Sequence, residues 1–348
     1  MKTFGHGLIV GKFCPLHRGH QYLLERAQHE CERLIILSYT KPELPGCEPA
    51  RRERWLADLY PEATRLVLDD MRLAAECRQR SLPVTVVPDN SASDDTHRQF
   101  VAWLLKHLLE TTVDVVFTSE AYGEGFAAVL SREQQADGGP AVRHVMVDAE
   151  RHAVPVSGTA LRADIHGLRR HLAPGVYKDF IRRVAFLGGE STGKSVLAQQ
   201  LASRLQTVHA AEYGRELWEA KQGVLIKNDM IHIAQTQMAR EDSLAPTAVQ
   251  YLFCDTTPLT TALYSQALFG EVSEELNVLA RRTYDRVFLC APDVPFVQDG
   301  TRRDEAFRRW QHEWYVRELH AGGVAYRLLT GSWETRMSTV LSELAVGA

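Results

Sequence analysis

No apolar run in the 348 residues reaches the ~18 that a bilayer-crossing helix needs, and no charged stretch leads into an apolar one at the start. Neither a membrane helix nor a secretory leader is expected, and the chain reads as cytoplasmic. The six cysteines, at 14, 31, 47, 77, 254 and 290, form no C-x-x-C pair and no zinc-ligand spacing. They read as reduced, mostly buried thiols, which excludes a disulfide framework. An excess of charge of either sign is also missing: 40 Lys and Arg against 44 Asp and Glu leave a formal net charge of -4. With no global basic field, bulk nucleic-acid binding is not expected, and any chemistry on polyanions has to be local. There is no low-complexity stretch and no repeat of fixed period. What is there, 45% hydrophobic and 24% charged side chains, is the make-up of a soluble globular enzyme, and the length favours about two domains.

Short apolar runs alternate with amphipathic stretches along both halves, the pattern of βα units around a parallel sheet. In the first half the spacing predicts strands over 7–13, 33–38, 83–87, 113–118 and 143–147, and helices over 19–31, 51–59 and 96–109. A further helix starts at "VSGTALRADI", capped by Ser157 or Thr159. Around "HGLRRHLAPGVYKDFIRR" the pattern lapses, and a fresh strand opens at "RVAFLGG". The expected domains are therefore 1–182 and 183–348. The second opens with a strand, a glycine loop and a helix over about 194–205, then runs through strands at 207–211, "VQYLFCD", "RVFLC" and "VAYRLL" separated by helices. The expected fold is two doubly wound α/β domains in tandem.

"GGESTGKS" fits G-x-x-x-x-G-K-[ST] between a β-run and an amphipathic helix, the setting a phosphate loop requires. Backbone N–H groups from Gly188, Gly189, Glu190, Ser191, Thr192 and Gly193 would curl around phosphate oxygens, with Lys194 on the β and γ oxygens and Ser195 on Mg²⁺. Asp255, closing "YLFCD", is the expected second metal-ordering residue, or else a helix cap. Arg302 and Arg303 lie in the glycine-punctuated "QDGTRR", suited to a lid over transferring phosphate or to a solvated loop. Together these features describe a small kinase using ATP. Glu212, Tyr213 and Arg215 in "EYGRE" follow a strand where a phosphoryl acceptor should sit; a helix start with its i,i+4 pairing is the other reading.

In "GKFCPLHRGH" His17 and His20 stand at the mouth of a helix after a strand. A zinc site would need a third ligand, and none is near; plain polar residues at a helix start are a second alternative. The remaining reading is a triphosphate nest made by both imidazoles, Lys12 and the helix N-terminus, with Gly11, Phe13 and Gly19 bringing the backbone close. Charge grows on oxygens when a phosphate attacks the α-phosphorus of ATP, and imidazolium, Lys and Arg suit that task. H-x-G-H in this setting resembles the nucleotidyltransferase superfamily, whose late S/T-x-x-R element has its counterpart here in Ser157, Thr159 and Arg162.

The two halves in this order, with "VFTSE", "EYGRE" and "QDGTR" between and after the nucleotide motifs, resemble the bifunctional NadR-type family, which joins a nicotinamide mononucleotide adenylyltransferase to a ribosylnicotinamide kinase. The resemblance covers nearly the whole chain. It implies phosphorylation of nicotinamide riboside by the second domain and adenylation of nicotinamide mononucleotide to NAD by the first. Some members carry a DNA-binding helix-turn-helix ahead of the first strand; six residues precede Gly7 here, so transcriptional repression is not expected. Two positions depart from the family. Asp255, Thr256 and Thr257 stand where Asp-Thr-Asp is common, and the family's tryptophan-rich stretch is replaced by "DDTHRQFVAWL", where Trp103 or Phe100 would have to stack on the pyridine or else belong to the core. The same chemistries on other acceptors, or a nucleotide or NAD sensor with one non-catalytic domain, fit these departures. A homo-oligomer is compatible with the sequence.

Overall fold

The computed structural model describes residues 2–120 and 122–346 and divides into two compact units, Met1–Tyr177 and Lys178–Ala348. The basic stretch that marks the boundary in the sequence ends the first unit with the short helix Pro174–Tyr177, just ahead of the strand that opens the second. Among the described residues each unit holds one five-stranded sheet whose neighbouring strands all run parallel.

In the first unit the strands are β1 (Phe4–Val10), β2 (Cys31–Tyr39), β3 (Thr64–Leu68), β4 (Val115–Thr118) and β5 (Arg143–Met146), in the order β3-β2-β1-β4-β5. Side chains alternate across a strand, so each central strand feeds two cores. Leu8, Ile35, Leu37, Leu66 and Val116 pack with Leu73, Val101, Leu104, Phe126 and Leu130 from helices Asp70–Gln79, Asp94–His107 and Gly123–Ala136. The alternates Ile9, Ile36, Val67 and Phe117 are as deeply buried on the other face, which helices Arg18–Glu30 and Pro49–Leu59 cover. Arg52 is wholly buried beneath that second helix, but its guanidinium donates to Ser38 Oγ at 2.8 Å and pairs with Glu43 at 2.9 Å, so no charge is left unmatched.

One expected strand is overturned. Residues 83–87 are extended but unpaired in the sheet, with Val84 60% and Val86 59% exposed. Their alternation gives the core only Val87, whose N–H is taken by Asp70 Oδ1 at 2.8 Å. The edge place belongs to β3, where Leu66, Val67 and Leu68 are consecutively buried, as a strand covered on both faces requires.

The second unit repeats the plan with β6 (Arg182–Gly188), β7 (Val208–Ala210), β8 (Tyr251–Asp255), β9 (Arg286–Cys290) and β10 (Arg327–Leu329), ordered β10-β9-β6-β8-β7. Phe186 stacks between Phe253 and Phe288, with centroids at 6.0 and 5.7 Å. Val184 and Phe186 face Leu197, Leu201 and Val340; Ala185 and Leu187 face Met230, Ile233, Leu263 and Tyr315. In both sheets the first strand lies at the centre and later strands add to either side. Crevices for ligands therefore open at the carboxyl ends of β1 and β6.

Candidate active sites

β1 stops at Val10 instead of running to residue 13, because the chain turns through Gly11 and reaches Phe13 in the left-handed region, φ 50°. The Phe13 ring is fully buried and folds back so tightly that a Cβ on Gly11 would meet it at 3.0 Å. The next helix, Arg18–Glu30, is capped by His17 itself. His17 Nδ1 accepts from the N–H groups of Gly19 and His20 at 3.1 and 3.3 Å, and His20 Nδ1 accepts from His17 N–H at 3.4 Å. This is a capping box built from two imidazoles. Gly19 is required there, since a Cβ would sit 3.0 Å from the His17 ring. With each Nδ1 used as an acceptor, the proton of each neutral ring is on Nε2.

The rings stack with centroids 3.7 Å apart. Burial, with Arg151, His171 and Arg162 nearby, lowers the pKa of His17 to about 4. Burial and the neighbouring His17 push His20 well below its ordinary value as well. The sequence suggested imidazolium; burial instead favours the neutral form of both rings.

The late element folds back onto this loop. Ser157 caps the helix Gly158–Ala163 by accepting from Ala160 N–H at 3.1 Å, and Arg162 donates to Cys14 O at 2.6 Å and Thr159 Oγ1 at 3.0 Å. Arg151, which no motif flagged, joins them. Its loop is shaped by Asp148, whose carboxylate accepts from the N–H groups of His152, Ala153 and Val154. Gly11, Lys12, Phe13, His17, Gly19, His20, Arg151, Ser157, Thr159 and Arg162 all line one cavity of about 560 Å³. Trp103 does not. It lies parallel to Phe100 on helix Asp94–His107, packed on the core and facing a different groove. The aromatic walls of the first cavity are Phe13, Tyr22, Tyr39, Tyr122 and Phe126 instead.

In the second unit β6 ends at Gly188, φ 141°, where a Cβ would meet Cys290 O at 2.7 Å; Gly193, φ 85°, precedes the helix Lys194–Arg204. The first admits only glycine, and the second is the left-handed region that glycine enters without strain. Thr192 Oγ1 and Lys194 Nζ donate to Gly189 O at 2.8 and 3.0 Å, so the loop closes on itself with the ammonium across its mouth. Behind it Arg336, 1% exposed, donates to Thr192 O, Ala291 O and Gly331 O at 3.0, 3.0 and 3.1 Å and pairs with Asp293.

Asp255 closes β8, with Ser195 and Lys194 near enough to influence its ionisation. Burial raises the pKa of Asp255, while Lys194 and Ser195 act against that rise. Its Oδ1 is buried with no hydrogen-bond partner among the described residues. Glu212 stands close enough that burial and repulsion from Asp255 lift its pKa to about 7, against the pull of Lys194 and Arg215. A free buried carboxylate oxygen, a hydroxyl and a second carboxylate form an oxygen donor set short of positive charge, which fits a hard divalent cation.

Thr257, where a second Asp was sought, caps helix Pro258–Phe269 by accepting from Leu259 N–H at 3.2 Å and contributes nothing to the cavity. Glu212, Arg215 and Arg302 line a cavity of about 330 Å³ together with the phosphate loop from Gly188 to Ser195, Gly189 excepted. Tyr213 faces away, hydrogen-bonded to His232 at 3.0 Å under the Arg240 guanidinium. The loop with Arg302 is tied to the phosphate loop. Val297 N–H donates to Ser191 Oγ at 2.9 Å and Arg303 N–H to Glu190 Oε2 at 2.8 Å, while Asp299 holds Arg302 at 3.1 Å and Arg215 at 3.5 Å.

Residues 183–336 match the family described as AAA domain. The chain is 27% identical over 313 residues to the trifunctional NAD biosynthesis/regulator protein NadR of Escherichia coli (strain K12), covering 85% of this chain and 71% of that one. It has the same identity over 316 residues, with the same shares, to NadR of Salmonella typhimurium (strain LT2). Solved structures of a NadR protein resemble it over nearly all its length. One in complex with NR has a TM-score of 0.70, 19% identity and coverage of 99% of this chain and 96% of that chain. One with NAD and AMP-PNP has 0.71, 19%, 98% and 96%. The fold is thus that of the tandem NadR structures.

Proposed function

We propose that this chain, a homologue of NadR, makes NAD in two steps. The kinase unit phosphorylates nicotinamide riboside with ATP to nicotinamide mononucleotide, and the first unit joins that product to the adenylyl group of ATP, releasing pyrophosphate. The observation that supports the reading is the presence in one chain of two cavities, each lined by a glycine turn, a helix start and basic side chains after the central strand of its own sheet, in a sequence that aligns with NadR across both.

In the kinase unit the loop N–H groups and Lys194 hold the β and γ phosphates, and Arg302 neutralises the oxygens of the group in flight. Ser195 and Asp255 would hold Mg²⁺, which supplies charge stabilisation on the same oxygens. Glu212 takes the proton of the acceptor hydroxyl, and Arg215 holds the acceptor end to Asp299 and its loop. In the first unit the mononucleotide phosphate is already an anion, so attack at the α-phosphorus needs no general base. Nε2–H of His20 and His17, with Lys12, Arg151 and Arg162, stabilises the charge that develops on the triphosphate. Both steps consume ATP, and we assign them to the cytoplasm on that ground; no described helix is long and apolar enough to cross a membrane.

The test is incubation with ATP, Mg²⁺ and either the riboside or the mononucleotide, following ADP, pyrophosphate and NAD separately. The riboside should yield ADP and then NAD, and the mononucleotide pyrophosphate and NAD without ADP. Absence of NAD in both arms would sink the reading.

Glu212 adds a pH dependence. Only the deprotonated carboxylate can accept a proton, and its pKa is about 7. kcat/KM for the riboside should therefore fall tenfold per pH unit on the acid side of the Glu212 ionisation, which burial and Asp255 raise and bound Mg²⁺ lowers, and level off above it. Glu212→Gln should lower the plateau and remove the slope, read from the same assay at each pH.

A further inference from the structure

In the kinase cavity one buried polar group is left over after the assignments above. Gln237, on helix Lys227–Leu244, is 2% exposed and lines the cavity. Its Oε1 accepts from Tyr213 N–H at 2.9 Å. That contact fixes which end of the amide is oxygen. Nε2 is buried with no hydrogen-bond partner among the described residues. A buried amide N–H₂ without an acceptor costs stability, so its retention in a ligand cavity marks a group that waits for an oxygen.

The placement narrows what the oxygen belongs to. Tyr213 follows Glu212 directly, so the amide is anchored beside the carboxylate that meets the reacting hydroxyl. The apolar lining that suits a flat ring comes from Trp218, Leu225 and Leu268, and from Met230 and Ile233, which precede Gln237 on its own helix and leave the amide at the end of that apolar strip nearer Glu212. In a nucleoside the group adjoining the reacting 5′-oxygen is the sugar. Resting on the kinase reading above, we propose that Gln237 is a specificity-determining residue of the phosphoryl-acceptor site, donating from Nε2 to a ribose hydroxyl oxygen of the nucleoside. The acceptor class is then a ribonucleoside, and the deoxy analogue that lacks this hydroxyl is rejected because it strands the buried donor.

The experiment compares kcat/KM for nicotinamide riboside with that for its 2′-deoxy and 3′-deoxy analogues, in the parent chain and in two variants. Gln237→Met removes the donor and keeps the length. Gln237→Glu also removes it but keeps an oxygen for Tyr213 N–H. The parent should prefer the riboside over one deoxy analogue by ~10²-fold or more, and in both variants that ratio should collapse to a few-fold. A merely structural role would depress all three substrates together and leave the ratios unchanged. Unchanged ratios, or a parent that accepts both deoxy analogues as well as the riboside, would overturn the proposal. Should ADP form with another ribonucleoside and not with nicotinamide riboside, the functional reading above fails, and the same ratios on that nucleoside decide the role of Gln237.

Discussion

Lys194→Ala should lower riboside phosphorylation by ~10³-fold or more while leaving NAD formation from nicotinamide mononucleotide within twofold of the parent. The ammonium lies across the mouth of the phosphate loop, 3.0 Å from Gly189 O, and its charge also holds down the pKa of Asp255 and Glu212. Its removal takes away a donor to the β and γ phosphates. It also drives the Glu212 pKa further up, so residual activity should show its pH midpoint displaced above that of the parent. The first unit has its own sheet, its own core and its own cavity. Equal loss of both activities would argue against independent sites. The two halves of the result come from one preparation by following ADP from the riboside and pyrophosphate from the mononucleotide.

His20→Ala should give the mirror image, a ~10²–10³-fold fall in kcat for NAD formation, about 2.7–4 kcal/mol of barrier for one preorganised donor, with the kinase untouched. His20 is the better probe of the pair. The imidazole of His17 caps the helix through two backbone N–H groups, so its removal would cost about 0.5–2 kcal/mol of stability as well. His20→Ala keeps the residue-20 N–H for that cap and gives up only the longer contact of 3.4 Å from His17 N–H. Adenylyl transfer within a few-fold of the parent would take His20 out of the mechanism. The neutral state of both rings sharpens the test. kcat/KM for ATP reports the free enzyme, so it should show no imidazole ionisation between pH 6 and 8.

What could be read from the sequence was whatever the backbone alone dictates. Gly188 and Gly193 are glycines because the loop needs their dihedrals, and Gly19 is one because an imidazole lies against it; such constraints leave a fixed spacing in the chain. The strand, loop and helix order around them was legible for the same reason. Residues recruited by tertiary approach left no such mark. Gln237 and Arg336 sit in ordinary helix sequence, and their roles exist only because Tyr213 and Thr192 are brought to them, while the loop of Arg151 reaches its cavity only because the fold brings it to His17 and His20. The charge state of the histidines was misjudged because burial is not a local property. Residues 83–87 alternate as a strand should, yet three consecutive apolar residues at 66–68 suit a two-faced edge better. Trp103 was open between ring stacking and core, and its partner is Phe100.

Arg336 lies on the last described helix, Trp333–Val346, and grips the carbonyl of Thr192 from behind. The direction in which the phosphate loop points its amides is therefore set by a residue synthesised some 140 positions later. A nucleotide signature complete in its letters thus still leans, for its shape, on a side chain far from it in the sequence, and severing that hold by Arg336→Met should loosen the loop without altering a single residue of the motif.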